Sequence, residues 1–161
     1  MSIGLDAPIL PTSSNHEYWI KKALRLAEKA FSEGEVPVGA IVVKNNKIIG
    51  RGRNTVISDN DVTAHAEINA IREASKIIGN YRLVDCNLFV TLEPCHMCAK
   101  AIVDARLDKL VFAAKEPKTG SICSIDNFLE NKALNHLVEF KYGLNEEISA
   151  NLLKDFFKQK R

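Results

Sequence analysis

Apolar residues recur at helical spacing near the start of the chain. Between positions 16 and 33 they lie three or four residues apart and Gly34 follows, which predicts an amphipathic helix over 16–33. Its apolar positions are Trp19, Ile20, Ala23, Leu26, Ala27, Ala30 and Phe31. Comparable patterns predict three further helices, at 64–78, 95–105 and 145–159.

Shorter apolar runs between these helices predict strands. They cover 38–43, 47–51, 87–92, 109–114 and 137–141. Asn45 and Asn46 separate the first two runs and predict a tight hairpin turn, because asparagine tolerates positive φ. Strands that alternate with helices predict a layered α/β fold with a mixed sheet.

Length and composition indicate a single globular domain. The chain has 161 residues, of which 46% are apolar and 26% charged, and no apolar run approaches the ~18 residues of a membrane helix. Residues 1–15 contain two prolines and three serines and predict a flexible extension before a domain at 16–161. They lack the pattern of a secretory signal, so the four cysteines are expected to be reduced thiols in the cytoplasm. A net charge of +2 does not decide whether nucleic acid is a partner.

Two short motifs stand where helices are predicted to begin. Positions 63–67 read T-A-H-A-E and positions 94–98 read P-C-H-M-C. Cys95 and Cys98 are three residues apart, so on a helix they share a face and can bind one zinc ion. A position in the first turn favours the thiolate form. With His65 as a third ligand, a fourth position stays open for water, as in catalytic zinc sites.

Glu67 is the predicted proton carrier of this site. Zinc lowers the pKa of bound water from 15.7 to ~7, so a nearby carboxylate can take its proton and later deliver it to a leaving amine. A C-x-x-C motif alone also fits a redox pair or a structural zinc site, and a lone histidine is usually an ordinary helix residue. The combination with His65, 30 residues before Cys95, favours the catalytic interpretation. His96 lies about 100° around the helix from Cys95 and is predicted not to bind metal.

The two motifs resemble those of the cytidine deaminase-like zinc deaminases. From about residue 17 to the end, further segments resemble the bacterial tRNA adenosine deaminases. They are E-V-P-V-G-A at 35–40, R-N at 53–54, N-Y-R-L at 80–83, T-L-E-P-C at 91–95, K-T-G at 118–120, N-H at 135–136 and D-F-F at 155–157. The resemblance implies a three-layer fold with a central mixed five-stranded sheet, one zinc ion per subunit and a homodimer.

The same resemblance implies a substrate and a reaction. The substrate is the adenosine at the first anticodon position of a tRNA, with an arginine tRNA expected, and the product is inosine. A zinc-activated water attacks C6 of adenine while Glu67 protonates N1 and then the departing amino group.

Contacts to the target base are also implied by the resemblance. Asn54 is expected to hydrogen-bond the base, since an amide carries both a donor and an acceptor. The backbone N–H of Ala66 and the backbone at 93–95 are expected to contact the base or the intermediate. Val36 and Leu92 are expected to line an apolar slot. Ordinary turn or core roles for these residues stay open.

The final helix carries the signal for RNA. Phe156 and Phe157 are adjacent and point to different sides, so one can pack in the core while the other contacts nucleotides. The basic residues around them are Lys154, Lys158, Lys160 and Arg161. A second polar stretch, expected beside the anticodon loop, contains Lys115, Glu116, Lys118 and Thr119. The family often has aspartate where Glu116 stands, which leaves the role of Glu116 open.

Two other functions compete with this interpretation. A deaminase of a free base or nucleotide, such as guanine, cytosine or dCMP, would share the zinc motifs but would not need the aromatic and basic C terminus. A non-catalytic zinc module that binds RNA would not need Glu67. The remaining cysteines lack metal-binding spacing: Cys86 is predicted to be a small core residue and Cys123 an incidental thiol.

Overall fold

A single mixed sheet of five strands forms the centre of the fold. The computed structural model describes residues 12–160, and its strands are β1 (Gly39–Lys44), β2 (Lys47–Arg53), β3 (Asn87–Leu92), β4 (Lys109–Ala114) and β5 (Glu139–Tyr142). Their order is β2-β1-β3-β4-β5. β1 is antiparallel to β2 and β3, whereas β3, β4 and β5 run parallel. The predicted α/β fold with a central mixed five-stranded sheet is confirmed.

In the described part of the chain, five helices and one 3-10 turn accompany the sheet. The helices are α1 (Thr12–Ser32), α2 (Val56–Asp59), α3 (Ala66–Ile78), α4 (His96–Asp104) and α5 (Glu146–Gln159), and the turn is Phe128–Glu130. α1 begins four residues before its predicted start. α2 and the 3-10 turn were not predicted, because three or four residues are too few to show a hydrophobic period. Residues 1–11 of the predicted extension lie outside the described residues.

The helices cover both faces of the sheet. On one face, Ile41 and Phe89 pack against Trp19 and Ile20 of α1. On the other face, the alternate positions of the same strands pack against α3 and α4; they include Ala40, Val42, Leu88, Val90, Leu110 and Phe112. Because both faces are covered, the central strands are continuously apolar. No helix within residues 12–160 is both long and apolar enough to cross a membrane.

Glycines in β2 bring α3 into direct contact with the sheet. A Cβ atom on Gly52 would lie 2.1 Å from the backbone oxygen of Ala66, and one on Gly50 would lie 2.3 Å from that of Ala70. Only a residue without a side chain fits at either position. This close approach sets the height of α3 above the sheet and therefore the position of its first turn.

Candidate active site

The two predicted metal-binding motifs meet at the starts of α3 and α4. His65 is the N-cap of α3 and Cys95 is the N-cap of α4, and both have an extended backbone. Cys98 follows in the first turn of α4 and is buried. The unpaired N–H groups and the positive dipole ends of both helices therefore point toward one cluster, which favours negative charge on the cysteine sulfurs.

The distances in this cluster fit a zinc ion. The ligand atoms of His65, Cys95 and Cys98 all lie within 4.8 Å of one another. Nδ1 of His65 is 3.7 Å from Sγ of Cys95 and 3.5 Å from Sγ of Cys98. Tetrahedral zinc with ordinary Zn–S and Zn–N bonds separates its sulfur and nitrogen ligands by about 3.6 Å. The donor set and its spacing are therefore those of a zinc site with three protein ligands.

Hydrogen bonding within the cluster gives the two thiols different pKa values. A hydrogen bond from Cys98, reinforced by His65, lowers the pKa of Cys95 to about 3. The same bond and burial raise the pKa of Cys98. The bond with Cys95 raises the pKa of His65, against the effect of burial. Cys95 is thus the group that carries negative charge most readily.

Glu67 is buried beside this cluster, in the first turn of α3. Its side chain is 4% exposed, and burial raises its pKa to about 7. A carboxyl group with a pKa near neutrality can both accept and donate a proton at neutral pH. Its charge interacts with His65 and Cys95, and its side chain hydrogen-bonds Cys98, so the carboxyl group lies next to the three candidate ligands.

Asn54 lies at the end of β2 and contacts α3. Its side-chain oxygen accepts a hydrogen bond from the N–H of Ala66 at 2.9 Å. This differs from the expectation for Ala66, because the N–H that was expected to reach the base is already bonded within the protein. Ala66 itself is fully buried. The arrangement orients the amide of Asn54, whose NH2 group is then the part available to a ligand.

His96 is turned away from the cluster. Its ring is exposed, and Nε2 lies 2.5 Å from a carboxylate oxygen of Asp126. It is not one of the grouped metal-binding side chains. That His96 does not bind the metal stays a prediction.

A groove of about 950 Å³ lies beside the C-terminal ends of β3 and β4. At this edge of the sheet, β3 leads into α4. One wall is the loop 115–119, which contains the polar stretch expected to adjoin an anticodon loop. The other wall is a single face of α5. The groove is lined by Leu92, Ala114, Lys115, Glu116, Pro117, Lys118, Thr119, Ala150, Leu153, Lys154, Phe157, Lys158 and Lys160. Val36 does not line it, and instead packs partly buried against the core on the α3 side of the sheet.

The two phenylalanines of α5 have different surroundings. Phe156 is 5% exposed and packs edge-on against Phe31 of α1, with 5.8 Å between ring centres. Phe157 is 48% exposed and lines the groove. Phe156 is therefore the one of the two that packs in the core, because a step of one residue turns its side chain toward α1, and Phe157 is the one placed to contact a ligand. Arg161 lies outside the described residues.

Two buried glutamates near the site were not assigned a role from the sequence. Glu35 accepts hydrogen bonds from the N–H groups of Ile57 and Ser58 at the start of α2. Glu93, next to Pro94, accepts bonds from the loop that forms one groove wall. The available signal was a charged residue beside an apolar strand segment, with a proline one or two residues further along the chain. Cys86 is buried and Cys123 is exposed.

The chain is similar to known deaminases over almost its whole length. A family model described as MafB19-like deaminase matches residues 14–161. The tRNA-specific adenosine deaminase of Aquifex aeolicus is 48% identical over 145 residues, which cover 90% of this chain and 95% of that protein.

Solved structures are similar in fold. One from a study of A-to-I editing by tRNA:A34 deaminases has a TM-score of 0.82 and 41% identity, and the match covers 84% of this chain and 99% of that one. A guanine deaminase from Bacillus subtilis has a TM-score of 0.61 and 35% identity, with 87% and 93% covered. Both the identity and the TM-score are higher for the tRNA deaminase.

We expect Cys98→Ala to weaken zinc binding by more than roughly 100-fold, because it removes one of three ligands. His96→Ala, in the same helix turn, is the matched control and should keep one zinc per chain. Metal content after gel filtration, measured by mass spectrometry, compares them. Loss of zinc in the His96 variant together with retention in the Cys98 variant would contradict the ligand assignment.

Proposed function

The chain belongs to the tRNA-specific adenosine deaminases, and from this premise we propose that it converts the adenosine at the first anticodon position of a tRNA to inosine. The reaction is a hydrolysis that exchanges the exocyclic amino group for a carbonyl oxygen and releases ammonia. The observation that carries the proposal is the cluster of His65, Cys95 and Cys98 with the buried carboxyl group of Glu67 beside it. An arginine tRNA is the substrate that we propose.

His65, Cys95 and Cys98 would hold a zinc ion, and their donor set and spacing fit that metal. When bound, zinc supplies Lewis acidity that brings the pKa of a water ligand from 15.7 to ~7. The partial positive charge at the starts of α3 and α4 supports the anionic sulfur ligands. The chain itself thus contributes the ligands and the field around them.

Glu67 moves the protons of the reaction. It takes a proton from the attacking water and delivers it to N1 of adenine as the oxygen bonds to C6. It then transfers a proton from that oxygen to the amino group, which leaves as ammonia. A pKa of about 7 suits both directions of transfer at neutral pH.

Asn54 is the residue that we propose to bind the target base. Its oxygen is bonded to the N–H of Ala66 at 2.9 Å, so its NH2 group is oriented for donation to a ring nitrogen or hydroxyl of the nucleoside. Leu92 lines the groove and supplies apolar surface there. Val36 does not line the groove and packs partly buried against the core, so a contact between Val36 and the base stays a proposal.

The groove between the 115–119 loop and α5 is the proposed anticodon-loop surface. It combines five lysines with one exposed aromatic ring, and single-stranded loops bind through stacked bases and phosphate contacts. Phe157 provides the stacking face. The lysines are Lys115, Lys118, Lys154, Lys158 and Lys160.

We expect Glu67→Gln to lower the rate of inosine formation by about 10²–10⁴-fold, because the amide cannot carry protons. Zinc content and RNA binding should be unchanged. The assay uses an anticodon stem-loop with adenosine at the first anticodon position, and sequencing of treated total tRNA identifies the natural substrate.

The same assay separates this function from the alternatives. Free adenosine, guanine, cytosine and dCMP are offered to the wild-type protein under identical conditions. Faster deamination of a free base than of the stem-loop would overturn the tRNA assignment. An unchanged inosine yield in the Glu67→Gln variant would overturn the proton-transfer role.

The variants Phe157→Ala and Phe156→Ala should affect different properties, RNA affinity in the first and stability in the second. Loss of Phe157 should raise the Kd for the stem-loop by about tenfold, because one base loses its stacking partner. Loss of Phe156 should instead lower the free energy of unfolding by about 3 kcal/mol, since it leaves a cavity against α1. Fluorescence titration and urea denaturation measure the two quantities. Equal effects on RNA affinity would contradict the proposal.

We further propose that two copies form a homodimer in the cytoplasm, where tRNA is decoded. The segment 56–62 precedes α3 and leaves Ile57 and Val62 largely exposed, with Val62 at 79%. Apolar side chains that project so far are typical of association surfaces. Light scattering should give the mass of two chains, and Val62→Asp should shift it toward one. A wild-type protein of single-chain mass would contradict the proposal.

A further inference from the structure

Glu93 is a buried carboxylate at the junction between β3 and the metal-binding segment. It is 3% exposed and immediately precedes Pro94. Oε2 accepts hydrogen bonds from three consecutive N–H groups, those of Ile122 at 3.0 Å, Cys123 at 2.8 Å and Ser124 at 2.9 Å. Oε1 accepts the N–H of Glu116 at 3.0 Å and the hydroxyl of Ser124. Five donors from one loop thus converge on one side chain.

The loop is what neutralises this buried charge. Within residues 12–160, no salt bridge includes Glu93. Consecutive N–H groups form a concave site that binds anions, and hydrogen bonds to a charged acceptor are about twice as strong as neutral ones. The carboxylate and the loop therefore stabilise each other.

Gly120 allows the loop to cross directly over the carboxylate. A Cβ atom at this position would lie 2.3 Å from Cδ of Glu93 and 2.7 Å from the backbone oxygen of Glu116. The N–H of Ser121 also bonds to the backbone oxygen of Pro94 at 2.9 Å. The loop is thus held against residues 93–94 from both its ends, with no space left between them.

We infer that Glu93 is a positioning residue for substrate recognition, and that it fixes the 115–124 loop as a wall of the RNA groove. Glu93 does not line the groove, whereas Lys115, Glu116, Lys118 and Thr119 of its loop do. Its bond to the N–H of Glu116 holds the stretch that carries these side chains. This inference rests on the proposed function for its substrate, an anticodon loop, but its structural part does not.

The geometry predicts which bond a glutamine would lose. Glu93→Gln retains one oxygen, and placing it at the Oε2 position keeps three N–H bonds. The new NH2 group then faces the N–H of Glu116, so two donors oppose each other there. The hydroxyl of Ser124 can rotate to accept instead. The groove end of the loop is therefore released while the 122–124 end stays bound.

We expect Glu93→Gln to raise the KM for the stem-loop about tenfold while kcat changes by less than about twofold. Zinc content should remain at one per chain. Hydrogen exchange, followed by NMR, should quicken at the amide of Glu116 much more than at the amides of residues 122–124. Glu130→Gln, an exposed glutamate in the 3-10 turn, is the matched control and should change none of these quantities.

If Glu93→Gln does not fold, Ser124→Ala tests the same contact with a smaller change, because it removes only the hydroxyl donor. Ser124→Ala should raise KM by about twofold. An unchanged KM, or unchanged exchange at Glu116, in a folded Glu93→Gln protein would overturn the inference. So would a fall in kcat or zinc content at constant KM, since Glu93 would then act through Cys95. If the wild type makes no inosine from the stem-loop, the proposed function fails, and the exchange measurement alone still decides whether Glu93 anchors the loop.

Discussion

Three side chains from two helices must meet within a few ångströms, and the rest of the architecture serves this requirement. His65 and Cys95 are N-cap residues, so their positions follow directly from where α3 and α4 begin. α3 is set by contact with the glycines of β2, and α4 follows β3 after a proline-containing bend. Because β2 and β3 both pair with β1, one strand relates the two helix starts to each other. The relative positions of the three candidate zinc ligands are therefore set by strand pairing in the sheet.

Parts of the fold were predictable because a local pattern determines them. The bounds of β3 and β4 agree with the prediction, since strands covered on both faces are continuously apolar and end sharply. β5 was predicted over 137–141 but spans Glu139–Tyr142, because an edge strand with exposed residues has no such contrast. The zinc motifs were recognisable because their ligands are close in sequence within each motif.

Other features depend on partners that a sequence does not reveal. Adjacent phenylalanines in α5 look equivalent until α1 is placed against one of them. The N–H of Ala66 was expected to face a ligand, but the hairpin brings Asn54 to it from 12 residues away. The role of Glu93 was not predictable from its motif, since four of its five hydrogen-bond donors are backbone N–H groups 23 to 31 residues further along the chain. Backbone donors carry no residue identity and leave no trace in a sequence pattern.

Attachment through main-chain groups allows the substrate range to change within such a scaffold. The donors that hold the 115–124 loop to Glu93 are main-chain groups, except for one serine hydroxyl. Side chains at 115, 118 and 119 can therefore be exchanged without loosening the attachment, provided that position 120 stays glycine. The backbone of the loop stays bound to Glu93, near the metal ligands, while the side chains that face the groove can vary. Selection, natural or in the laboratory, can remodel recognition there while the catalytic chemistry stays intact.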